Sequence, residues 1–132
     1  MKKIDPTLLE EAVQRLVTAL QPERIYLYGS HAYGRPHQDS DVDLLIVVSP
    51  SALPPRKKAV QAYQALRGLF LPAEIKVVTQ DEFQRRAQWI SSIERVVAAK
   101  GQVLYESPSG RSWRMASKSG EGFALSANLA GA

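Results

Sequence analysis

Apolar positions along the chain recur at two periods, and the changes between them lay out its elements. Leu8, Leu9, Val13, Leu16, Val17 and Leu20 follow one another at three- and four-residue spacing, the stripe of a helix that covers a sheet. Asp5-Pro6 starts it, with Asp5 as N-cap and Pro6 at the first helical position, where a missing N–H costs nothing. Gln21-Pro22-Glu23 ends it, and residues 24–28 are too short and too β-rich for another helix, so they predict a first strand. Residues 41–48 predict a second strand, apolar from Leu44 to Val48, followed by a Pro- and Ser-containing connector over residues 49–55.

From Arg56 to Leu69 the helical period returns in Ala59, Val60, Tyr63, Leu66 and Leu69, with Arg56, Lys57 and Lys58 in the first turn, read as a solvated helix end ahead of the alternative, a cluster that meets a nucleotide or an acidic partner. Residues 73–78 predict a third strand. Thr79 with Glu82 three residues on predicts a capping box, opening one helix with Phe83, Ala87, Ile90, Ile93 and Val97 as its buried stripe and a stop at Gly101. Val103-Leu104-Tyr105 predicts a last short strand. After Pro108 the chain is rich in Ser, Gly and Ala without a period, so residues 109–132 are expected to be a flexible C-terminal tail on a domain of residues 1–108.

The polar chemistry lies where the first two strands end and begin. Gly29-Ser30 closes the first strand, and residues 30–34 predict a short helical turn whose N–H groups suit phosphate. Asp41 and Asp43 open the second strand, and alternation puts both carboxylates on one face with Val42 in the core. Two like charges so close are unfavourable without a cation, and carboxylate oxygens suit a hard ion such as Mg²⁺. Glu74, at the start of the third strand, is the candidate third carboxylate, and a triad of this kind can hold two metal ions. His31 and His37, with no cysteine and no second histidine in register, do not form a zinc site and read as exposed loop residues.

Bulk composition narrows the classes without naming the chemistry. The 132 residues fit one domain, and the 45% hydrophobic content is ordinary for a globular protein. No apolar run reaches the length of a membrane span, and the basic start gives way to Asp5, Glu10 and Glu11, unlike a signal peptide. The absence of cysteine fits a reducing compartment, so a cytoplasmic location is expected. The net charge of +4 is spread thinly: residues 1–108 carry 14 basic and 12 acidic side chains. That is no binding stripe, and direct nucleic-acid binding is not expected.

The segment from Gly29 to Leu44 resembles the Gly-Ser-x10-Asp-x-Asp signature of the nucleotidyltransferase superfamily related to DNA polymerase β, in its minimal nucleotidyltransferase branch. The resemblance covers residues 5–106. It implies an α+β fold, a small mixed sheet with flanking helices, together with two Mg²⁺ ions and use of a nucleoside triphosphate with release of pyrophosphate. By the same resemblance, Gly29 and Ser30 bind the triphosphate, Arg35 and Ser40 join them around the nucleotide, and Asp41, Asp43 and Glu74 are the catalytic, metal-binding carboxylates.

This sequence departs from the pattern at three places. His31 and Tyr33 stand where the family often has Arg, so the basic contribution to phosphate binding is either reduced or supplied by Arg35, and Glu74 stands where Asp is commoner. Members of this branch are commonly antitoxins that transfer AMP from ATP to a tyrosine of a HEPN-type RNase toxin. The resemblance therefore implies a HEPN partner in a hetero-oligomer. A non-catalytic toxin-binding module with a vestigial nucleotide site, and a nucleotidyltransferase acting on small molecules such as antibiotics, are the alternatives.

Overall fold

Alternation and helical period together build a three-layered molecule, and the sheet comes first. A computed structural model describes residues 5–33, 41–51, 53–90 and 92–108. The elements run α1 (Pro6–Leu20), β1 (Arg24–Tyr28), α2 (Ser30–Tyr33), β2 (Val42–Val48), α3 (Pro55–Ala65), β3 (Ala73–Thr79), α4 (Gln80–Arg86), α5 (Ile93–Lys100) and β4 (Gln102–Glu106). The strands form one sheet in the order β3-β2-β1-β4. β1 is antiparallel to both neighbours, whereas β2 and β3 are parallel, joined by the crossover through α3. The mixed sheet with flanking helices is the α+β architecture expected.

Period two divides β2 between two cores. Val42, Leu44, Ile46 and Val48 meet Leu9, Val13, Leu16 and Leu20 of α1 and Ala62 of α3, while Leu45 and Val47 meet Phe83 of α4 and Val97 of α5. Tyr26 of β1 joins the second core, stacked on Phe83 at a centroid distance of 5.5 Å. Burying the strand on both faces explains its nearly continuous apolar run.

The helix ends follow from their caps. Asp5 accepts a hydrogen bond from the Thr7 amide at 2.9 Å, and Gln21 ends α1 in a left-handed conformation. Thr79 accepts from the Glu82 amide at 3.3 Å and opens α4. The single helix expected from Thr79 to Gly101 is instead two. Ser92 interrupts it: its hydroxyl donates to the Arg86 carbonyl at 2.6 Å and accepts from the Arg95 amide at 3.0 Å, so α5 has its own N-cap. Ile90, expected in the buried stripe, is therefore 85% exposed. α3 also stops short of Leu69, at Ala65, and its Val60 and Tyr63 are exposed. The Tyr63 hydroxyl accepts from the Ile75 amide at 2.9 Å, tying α3 to β3.

One end of the sheet is locked by buried charge. Arg24 is wholly buried; its Nη2 donates to Glu106 Oε2 at 3.1 Å and its Nη1 to the Tyr26 hydroxyl at 2.6 Å. Nearby, the Ser49 hydroxyl donates to the buried Glu23 carboxylate. Among the described residues no helix is long and apolar enough to cross a membrane. The expected tail over residues 109–132 lies outside the described residues.

Candidate active site

The opposite end of the sheet carries the carboxylates. In the parallel pairing of β2 with β3, Asp43 and Glu74 are direct register partners, and Tyr28 of β1 is the antiparallel partner of Asp43 on its other side. Neighbouring strands lie about 4.8 Å apart, so Tyr28, Asp43 and Glu74 form one row across three strands. Asp43 shares parity with Leu45 and Val47, which places the row on the α4/α5 face, one step beyond the core that those helices cover. Asp41 stands just before β2 and is exposed, with Val42 buried between it and Asp43. The expectation that Asp41 and Asp43 flank a core valine and that Glu74 comes alongside from the third strand matches this placement.

Gly29 shapes the site from above. It has φ +77°, a conformation that side-chain-bearing residues rarely adopt, and it reverses the chain as β1 passes into α2. A Cβ added there would overlap Oδ2 of Asp43. The glycine is thus required twice, once for the turn and once for the approach of backbone to carboxylate. α2 is pinned behind it by the Ala32 amide donating to the Gly29 carbonyl at 3.0 Å.

Asp43 is where the electrostatic cost concentrates. Burial, first, raises its carboxyl above the ordinary carboxylate value; the nearby Glu74 and then Asp41 carboxylates raise it further, and His31 pulls the other way. Three carboxylates that repel one another around a partly desolvated centre suit a divalent cation, whose charge would relieve both causes at once. The oxygen-only donor set fits Mg²⁺ by chemistry and by register. Among the described residues, however, no three such groups converge as they stand into a preformed metal cluster.

His31, expected as an exposed loop histidine with no fixed role, is instead half-buried on α2 and close enough to act on Asp43. Arg35 and Ser40, expected around the nucleotide, lie outside the described residues, as do His37 and the side chain of Ser30. Two residues on the same face escaped sequence reasoning: Tyr28, beside Asp43, and Lys76, two residues beyond Glu74 and in register with Leu45. Parity was the available signal, since Glu74 and Lys76 alternate with Ala73, Ile75 and Val77 of the core shared with α1 and α3.

Comparison with known proteins agrees with this architecture. A family model described as the nucleotidyltransferase domain matches residues 8–104. No curated protein matches the chain significantly. Among solved structures, a candidate nucleotidyltransferase from Sulfolobus solfataricus superposes with a TM-score of 0.54 at 19% identity, over 76% of this chain and 78% of that one. A toxin–antitoxin structure with AMP-PNP aligns with a TM-score of 0.47 at 18% identity, over 76% of this chain and 75% of the other.

Proposed function

The chain belongs to the nucleotidyltransferase domain family, and we propose that it is a Mg²⁺-dependent antitoxin enzyme that transfers AMP from ATP to a tyrosine hydroxyl of a HEPN-type RNase toxin. The observation that carries the catalytic part is the pairing of Asp43 with Glu74 beneath the glycine turn at Gly29. The acceptor part rests on the resemblance of the segment from Gly29 to Leu44 to the minimal nucleotidyltransferase branch, whose members are commonly antitoxins of HEPN-type toxins.

In this reading Asp41, Asp43 and Glu74 hold Mg²⁺, which when bound neutralises the triphosphate and steadies the leaving group. Gly29 and Ser30 hold the triphosphate, with Arg35 and Ser40 beside them. The tyrosine oxygen forms a bond to the α-phosphorus while the bond from that phosphorus to the bridging oxygen breaks, and pyrophosphate leaves with the electron pair. Glu74, exposed at the rim of the row, takes the hydroxyl proton. The chain's own contribution is positioning and electrostatics.

The test is incubation of the protein with ATP, Mg²⁺ and a HEPN toxin, followed by intact mass of the toxin. The expected result is addition of one adenylate, lost in Asp41→Ala/Asp43→Ala with the fold retained by circular dichroism. An unmodified toxin whose activity is nonetheless blocked would replace the enzyme with a binding module.

A further inference from the structure

Phe70 is 92% exposed, the highest value among the exposed large hydrophobic residues described. Its position in the chain gives that exposure a direction. After the turn at Leu66–Gly68, where Gly68 has φ +91°, the backbone runs without helix or turn into β3. The Val42 amide donates to the Pro72 carbonyl at 2.9 Å, so the ladder between β2 and β3 already begins at Pro72.

Burial alternates strictly through this run. Leu69, Leu71, Ala73 and Ile75 pack toward the core shared with α1 and α3, while Phe70, Pro72 and Glu74 are exposed. The alternation puts Phe70 on the same side as Glu74 and hence as Asp43. Four residues separate Phe70 from Glu74, a reach of up to roughly 13 Å at the rise of a strand. That is comparable with the length of an extended nucleoside triphosphate, phosphates at one end and base at the other.

An exposed phenylalanine in line with a metal-type carboxylate row offers a flat apolar face where the nucleotide's other end would lie. Bases of every kind have a π-face and stack on such side chains. We propose that Phe70 is the platform on which the nucleobase stacks when the triphosphate is held at Gly29 and the carboxylates. This rests on the nucleotidyltransferase reading above and adds the residue that grips the base.

Calorimetric titration of the full chain in Mg²⁺, with ATP and separately with inorganic tripolyphosphate, tests it. Phe70→Ala should weaken ATP binding roughly tenfold to a hundredfold, the range of base–aromatic stacking, and leave tripolyphosphate binding unchanged. Phe70→Trp should restore ATP affinity and add a fluorescence signal quenched by ATP. Ile90→Ala, nearly as exposed but on the connection between α4 and α5, should bind ATP like the parent.

Parent-like ATP affinity in Phe70→Ala overturns the proposal, and so does an equal loss for ATP and tripolyphosphate, since the base would then play no part. A parent chain that binds neither compound in Mg²⁺ overturns the nucleotidyltransferase reading itself, and the platform with it.

Discussion

Gly29→Ala separates the structural demand at the turn from the chemical one, because a second glycine supplies the control. Gly29 and Gly68 both have positive φ, +77° and +91°. An alanine in this region costs about 1–2 kcal/mol. At Gly68 that is the whole expected effect, since nothing lies within 4 Å of an added Cβ. At Gly29 the new Cβ would also meet Oδ2 of Asp43, with Cγ of the same residue at 3.1 Å. The obstacle is the end of a side chain rather than backbone, so Asp43 escapes by rotating its carboxylate away. The stability loss of Gly29→Ala should therefore stay close to that of Gly68→Ala, about 1–2 kcal/mol in urea unfolding.

The difference should appear in the site. With Asp43 rotated out of its row beside Glu74, Mg²⁺-dependent ATP binding should fall by at least tenfold in Gly29→Ala and by less than twofold in Gly68→Ala, about 1 kcal/mol or more separating the two at the site. In an Asp43→Ala background the two alanines should become equivalent in both measurements. Gly29→Ala with parent-like ATP affinity, or with an undiminished effect when Asp43 is absent, would refute the proposed contact.

Three further outcomes follow from particular residues. Asp43→Asn should stabilise the metal-free protein by about 0.2–1 kcal/mol, the penalty of like charges on facing strand positions. The sign is fixed by linkage: a carboxyl raised in the fold adds stability below its unfolded value, near pH 4, and loses it as the pH rises through the folded value. The advantage of Asn over Asp should accordingly be absent in acid, open above about pH 4 and shrink when Mg²⁺ is added, read by urea unfolding at each pH. Glu106→Ala removes the carboxylate that pairs with the wholly buried Arg24 guanidinium and should cost about 3–5 kcal/mol, while leaving ATP affinity per folded molecule unchanged. Asp5→Ala removes the cap on Thr7 and should cost about 1 kcal/mol in the same unfolding assay.

The strands were legible because each carries its period locally. Residues 24–28 form β1 as expected, and the third strand extends only one residue beyond its expected end, to Thr79. The carboxylate row was legible too, since parity relates Asp41 to Asp43 and the apolar run after Ala73 marks where Glu74 enters the sheet.

What escaped depends on contacts distant in the chain or on competing local signals. Phe83, Ala87, Ile90, Ile93 and Val97 keep helical spacing straight across a break, so the period hides it. The Ser92 N-cap was the opposing signal, and its bonds to Arg86 and Arg95 prevail. The union of Arg24 with Glu106 joins residues 82 positions apart and follows only from the pairing of β1 with β4. His31 gained its place near Asp43 from the turn at Gly29, which no spacing rule locates.

The most direct measurement is calorimetric titration of ATP into the full chain with and without Mg²⁺, repeated on Asp41→Ala/Asp43→Ala. Saturable binding that requires Mg²⁺ is expected, and it should disappear in the double variant while its unfolding remains cooperative. Absence of Mg²⁺-dependent binding in the parent, or its survival without both aspartates, would contradict a nucleotidyl-transfer site at the junction of Gly29, Asp43 and Glu74.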